Sequence, residues 1–142
     1  MTTPIERIVE AFQALTPESV ERLHGIYAED AHFKDPFNDV QSLTEIQRIF
    51  RHMFLNLENP RFIITQSITQ DMHCFLTWEF RFALKRNQPQ RELCILGASH
   101  LVLGADGRIA MHRDYWDAAE ELYEKLPLIG SLMRWLKRRV NA

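Results

Sequence analysis

His112-Arg113-Asp114-Tyr115-Trp116-Asp117 closes a run that begins at Ile109, just after the turn-forming segment Gly104-Ala105-Asp106-Gly107. From Ile109 the residues alternate as a strand does. His112, Asp114 and Trp116 then share one face, and Arg113, Tyr115 and Asp117 share the other. An imidazole, a carboxylate and an indole side by side are poor filling for an apolar core. They are good lining for a pocket with a polar end, although a hydrogen-bonded pair that merely fixes the strand would read the same way.

Working back from this strand, the period of two extends to Arg61. Phe62 to Thr69, His73 to Lys85, Glu92 to Leu103 and Ile109 to Asp117 read as consecutive strands. Short turns between them favour antiparallel neighbours. Upstream the period is helical. Thr3-Pro4-Ile5-Glu6 supplies an N-cap, a proline at the first helical position and a glutamate that closes a capping box. Thr16-Pro17 opens a second helix with Val20, Leu23, His24 and Tyr27 at helical spacing, and Ala31 to Asp35 follows as a short strand stopped by Pro36. Ser42-Leu43-Thr44-Glu45 caps a third helix, whose apolar stripe runs Ile46, Ile49, Phe50, Met53, Phe54, Leu57. Helices first and a strand meander afterwards predict an α+β domain with helices packed on one face of a bent sheet.

Length and composition agree with one soluble domain. The chain has 142 residues, 46% of them hydrophobic and 25% charged, with a formal net charge of -2. That charge gives no general attraction to nucleic acid, so no nucleic-acid partner is expected. No apolar run is long enough to span a bilayer, and the N-terminus carries no basic-then-apolar leader; a cytoplasmic location is expected. Cys74 and Cys94 fall in separate strands, lack the spacing of a zinc site, and read as buried free thiols.

The C-terminal part is distinct. Ala118 to Lys125 is acidic and helical, and Pro127 interrupts it. Leu128 to Val140 then sets Leu128, Ile129, Leu132, Met133, Trp135 and Leu136 against Arg134, Lys137, Arg138 and Arg139. We expect residues 121–142 to form an amphipathic helical extension packed on the domain of residues 1–120. Weak, salt-sensitive contact with a membrane surface is the alternative use of such a helix.

Tyr27-Ala28-Glu29-Asp30-Ala31-His32-Phe33-Lys34-Asp35-Pro36, with the late strand ending in Trp116, resembles the nuclear transport factor 2-like superfamily. The likeness is to its SnoaL-like polyketide cyclase and ketosteroid isomerase branch, over about residues 4 to 120. The resemblance implies a cone: a strongly curved antiparallel sheet wrapped around N-terminal helices, with a hydrophobic pocket at one end. It also implies a homodimer through the outer sheet face. In the isomerases the aspartate of Asp-Pro is the base, which here is Asp35. In the cyclases a pocket aspartate with a nearby histidine does the acid/base work, and here Asp114 with His112 matches best.

The resemblance implies pocket-facing positions at Leu76, Trp78 and Phe80, at Gly97, Ser99 and Leu101, and at His112, Asp114 and Trp116. The tyrosine and protonated aspartic acid of the isomerases' oxyanion hole are missing: the matching positions are near Ala11 or Phe12, and Ser99. Ketosteroid isomerase activity itself is therefore not expected. The Asp-Arg-Asp arrangement of the superfamily's epoxide hydrolases is also a poor match, since Arg113 points away from Asp114.

The expectation is a pocket for a small hydrophobic, oxygen-bearing molecule, with cofactor-free acid/base chemistry of the isomerase, cyclase or hydrolase type. Asp114 and His112 would be the proton-transfer pair, Asp35 a second base or orienting carboxylate, and Ser99 a donor to substrate oxygen. Asp35, His112 and Asp114 lack the spacing of a metal site, and no metal is expected. Two alternatives stay open: a binding protein that holds its ligand unchanged, and an interaction module acting through the outer sheet face and the basic C-terminal helix.

Overall fold

The computed structural model describes residues 2–85 and 91–117. The chain opens with helix α1 (Pro4–Gln13), whose N-cap Thr3 accepts from the Glu6 amide while the Glu6 carboxylate accepts from the Thr3 amide, a full capping box. Helix α2 (Pro17–Val20) is a single turn capped in the same reciprocal way by Thr16 and Ser19. A short 3-10 turn at Leu23–Gly25 leads into strand β1 (Tyr27–Lys34). Strand β2 (Asp39–Val40), helix α3 (Leu43–Asn56) and strands β3 (Leu57–Gln70), β4 (His73–Leu84), β5 (Leu93–Leu103) and β6 (Ile109–Tyr115) follow.

The six strands form one sheet in the order β2-β1-β6-β5-β4-β3. Neighbours from β3 to β6 are antiparallel, as the short turns predict. The expectation of a wholly antiparallel sheet is corrected at one place: β1 lies parallel to β6. After β2 the chain leaves the sheet through α3 and returns at the opposite edge with β3, and β6 comes to lie beside β1 in the same direction. Register breaks between Ile64 and Gln66 in β3 and between Val102 and Leu103 in β5 bend the sheet around the helices.

The second correction concerns Tyr27. It does not extend a helix; α2 ends at Val20, and Tyr27 begins β1 four residues before the expected strand start. The Ile109 amide donates to the Ile26 carbonyl at 2.7 Å, and pairing with β6 outcompetes a marginal helix that contains Gly25. Leu57, expected on the helical stripe of α3, likewise starts β3.

Ile8 and Phe12 of α1 and Ile46, Phe50 and Met53 of α3 pack onto the inner sheet face, which supplies Leu76, Trp78, Phe82, Ile95, Leu101 and Leu103. Ile8, Ile46 and Leu101 are fully buried, each such side chain being worth about 1.5–3 kcal/mol. Cys74 is a buried free thiol as expected, whereas Cys94, expected to be buried, is only partly so because it faces outward on β5. The expected helical extension at 121–142 lies outside the described residues. Among the described residues no helix is long and apolar enough to cross a membrane.

Candidate functional site

Where β3 to β6 curve beneath α1 and α3, the inner sheet face leaves a cavity lined by Phe12, Phe50, Phe62, Ile64, Leu76, Trp78, Ser99, His112 and Asp114. Its volume is about 30 Å³, room for one or two water molecules, inside about 320 Å³ of empty space that runs out to solvent. Strand register puts the polar lining together. Leu76 pairs with Ser99, Ser99 with Asp114, and Leu101 with His112. Trp78 pairs with Gly97, and this glycine leaves the space in which the indole lies: a Cβ there would sit 2.3 Å from Trp78 Cη2.

The polar side chains form one connected chain of hydrogen bonds. Trp78 Nε1 donates to Ser99 Oγ at 2.9 Å, and Ser99 Oγ donates to Asp114 Oδ1 at 2.5 Å. His112 Nε2 meets the same Oδ1 at 2.6 Å, and its Nδ1 meets the Tyr27 hydroxyl at 2.6 Å. An indole nitrogen can only donate, so Ser99 accepts from Trp78 and commits its own hydrogen to Asp114. Among the described residues nothing bonds to Asp114 Oδ2. The His112 ring is held by Phe12 at 5.7 Å and Phe33 at 4.7 Å between centroids, both edge-on. Burial, then the nearby charge of Asp114, pushes the Tyr27 phenol well above its usual range.

Asp35 lies outside this cavity. It lines an open groove of about 580 Å³ with Lys34, Pro36, Arg113, Asp114, Tyr115, Trp116 and Asp117. Its Oδ1 accepts from the Phe37 amide at 2.8 Å and the Asn38 amide at 2.6 Å, the turn that Asp-Pro favours. Burial first, and the charge of Asp114 second, raises its pKa to about 6, partly opposed by the bonds from Phe37 and Asn38. Asp114 is the wall common to cavity and groove.

The sequence-derived set therefore divides. His112, Asp114, Ser99, Trp78 and Leu76 converge on the cavity. Ser99 is there, but its hydrogen is committed to Asp114 rather than turned to a ligand. Leu101 is fully buried core beside the cavity and does not line it. Phe80 stands behind the wall, stacked on Phe62 at 4.7 Å and Phe82 at 5.1 Å. Trp116 follows the end of β6, packs on Phe37 at 5.6 Å and belongs to the groove.

Sequence reasoning missed Tyr27, because a helical spacing hid a strand start. Phe12, Phe50, Phe62 and Ile64 were not expected among the pocket residues, since an apolar residue facing a cavity looks no different in sequence from one facing a neighbour. Among the described residues no group of three or more His, Cys, Asp or Glu side chains is arranged to hold a metal ion.

The profile of the SnoaL-like domain matches residues 5–112. The comparison with curated protein sequences gave no match. Solved structures share the fold at low identity. One is a protein with a ketosteroid isomerase-like fold from Catenulispora acidiphila, in complex with trimethylamine. It is 16% identical at a TM-score of 0.70, over 87% of this chain and 94% of that one. A second, an NTF2-like protein of unknown function from Burkholderia pseudomallei, is 14% identical at 0.72, over 87% and 97%. A third is an LEH-like epoxide hydrolase of M. tuberculosis, 14% identical at 0.68 over 92% of each chain.

Proposed function

For a chain that belongs to the SnoaL-like domain family, we propose that the cavity under α1 and α3 binds a small hydrophobic, oxygen-bearing molecule, with Asp114 as its proton acceptor. The observation that carries this reading is the state of the two Asp114 oxygens. Oδ1 accepts two hydrogen bonds, from Ser99 and from His112, while Oδ2 has none among the described residues and the carboxylate borders a mainly apolar cavity. A carboxylate oriented through one oxygen and open at the other is placed for general base work on a ligand hydroxyl or an activated C–H. His112 fixes the carboxylate and passes its positioning back to Tyr27. Asp35, with a pKa of about 6 and Asp114 as its neighbour, is a second carboxyl able to exchange a proton near neutral pH. This is cofactor-free chemistry of the isomerase, cyclase or hydrolase type.

At about 30 Å³ the cavity takes a ligand larger than two waters only if lining side chains move. A ligand-binding role without turnover is favoured by one feature. Trp78, Ser99 and His112 spend their donors within the protein, so the cavity's described side chains leave none for charge developing on a substrate oxygen. The neighbours bound to trimethylamine or described as an epoxide hydrolase support a small-molecule site in this fold, for binding and for turnover respectively.

We place the protein in the cytoplasm as a homodimer formed through the outer sheet face. There Ile68, Phe75, Leu96 and Tyr115 are 64%, 49%, 53% and 50% exposed. The test of the ligand reading is a thermal-shift screen of small apolar alcohols and phenols on the full chain. Binders should stabilise the wild type and lose most of the effect in Asp114→Asn; stabilisation that is indifferent to Asp114 would end this assignment.

A further inference from the structure

Strand register lines up a row of side chains across the outer sheet face. Ile68 of β3 pairs with Phe75 of β4, Phe75 with His100 of β5, and His100 with Arg113 of β6. His100 is the centre of a stack. Its ring lies 4.4 Å from Phe75 with the planes 6° apart, and 5.1 Å from His73 at 20°. His73 Nδ1 and His100 Nε2 share a hydrogen bond of 2.9 Å. One hydrogen lies in such a bond, so two imidazolium rings, each with hydrogen on both nitrogens, cannot form it.

The surroundings offer a second proton no counter-charge. On β6 the residue opposite His100 is Arg113, whose guanidinium lies over the Tyr115 ring at 4.9 Å, and Lys34 of β1 stands beside Arg113 in the register. On β3 the facing residues Ile68 and Gln70 are uncharged, as are Ala98 and Val102 on the same face of β5. Asp71, in the turn before His73, is hydrogen-bonded to neither ring. Burial first, and repulsion from His73 second, hold the His100 ring below its ordinary pKa of 6.5.

With both rings uncharged the stack continues the apolar surface of Ile68, Phe75 and Leu96, all exposed. The strands β3 to β6, spaced by about 4.8 Å and rising about 3.4 Å per residue over about ten residues, present roughly 650 Å² per copy. Two such faces back to back cover about 1,300 Å², within the range of about 1,200–2,000 Å² that holds a specific dimer.

We propose that the outer sheet face joins two copies of this chain through the uncharged Phe75–His100–His73 stack, and that acid separates them. The inference rests on the homodimer reading and adds its regulation. Closing the interface takes the rings out of water, which disfavours imidazolium. The separated copies therefore bind more protons than the dimer, and falling pH favours separation. With one His100 from each copy, two protons are taken up per dimer, and Kd rises about a hundredfold for each pH unit below the pKa of the ring.

The experiment is sedimentation velocity of the full chain from about pH 7.5 down to about pH 5, with circular dichroism at each pH to establish that the fold persists. The wild type should be dimeric at the upper end, and Kd should rise by at least about tenfold at the lower end. His100→Gln should stay dimeric throughout. Equal dimer affinity across the range, or the same acid dissociation in His100→Gln, would overturn the acid control and leave the homodimer standing. A monomer at every pH, as when residues 121–142 cover this face, would overturn both. If His100→Gln does not fold, a wild-type slope of less than about one proton taken up per dimer refutes the role of the stack.

Discussion

Gly97→Ala should be among the more costly small substitutions in this chain, although it adds one methyl group. A Cβ at Gly97 would lie 2.3, 2.5 and 2.7 Å from Cη2, Cζ2 and Cζ3 of Trp78, where carbon atoms ordinarily stay about 3.5–4.0 Å apart. The indole must therefore move by about 1 Å or more. It cannot do so freely, because Nε1 is bonded to Ser99 at 2.9 Å and the ring packs edge-on against Phe62 at 5.7 Å. Overpacking of this kind costs about 1–3 kcal/mol, and loss of the indole hydrogen bond adds about 1 kcal/mol, so about 2–4 kcal/mol is expected.

Urea denaturation should show the midpoint falling with the slope unchanged. A double-mutant cycle with Trp78→Phe isolates the cause: the smaller ring should recover about 1–2 kcal/mol of the loss. A loss below about 0.5 kcal/mol, or strict additivity of the two substitutions, would refute the argument that Gly97 exists to seat the indole.

Three further outcomes follow from the same geometry. Asp35 has a folded pKa of about 6 against an ordinary 3.8; the folded state keeps its proton to higher pH, so this group's contribution to stability is fully present below pH 3.8 and is lost as the pH rises through 6. The fall is at most about 3 kcal/mol, from 2.2 units at about 1.36 kcal/mol each. Asp35→Asn should flatten that part of the thermal-melting profile, and superimposable profiles would contradict the shift. Ser99→Ala strips Trp78 Nε1 of its acceptor and Asp114 of a donor, and should cost about 1–3 kcal/mol by chemical denaturation; a neutral result would mean the bonds are not maintained in solution. Phe75→Asp on the outer face should convert the proposed dimer to monomer by light scattering while leaving the fold intact, and an unchanged dimer would place the interface elsewhere.

The sequence carried the fold wherever local signals and tertiary packing agree. Thr3-Pro4-Ile5-Glu6 caps α1 because both halves of the box are present in four residues, and the alternation from Phe62 onward survives because one sheet face is buried. It misled at Tyr27, where helical spacing continued past Gly25 and only pairing with β6, more than 80 residues away, could decide otherwise. The site was legible in its polar half. His112 and Asp114 two apart on a strand must share a face, and Ser99 opposite Asp114 follows from register. Trp116 was misplaced because alternation was carried beyond Tyr115, where β6 ends. The hydrogen-bond chain joins five residues on four strands, and no spacing along the sequence expresses it.

The central claim is that Asp114, open at Oδ2, holds a small molecule in the cavity. Native mass spectrometry of freshly purified protein, followed by denaturation to release any guest, tests it most directly. The account predicts a small hydrophobic guest at one per chain, lost in Asp114→Asn and excluded by Ile64→Phe, which fills the cavity. A wild-type protein that carries no guest and takes up none of the small-molecule probes, or one that keeps its guest in both variants, would contradict it.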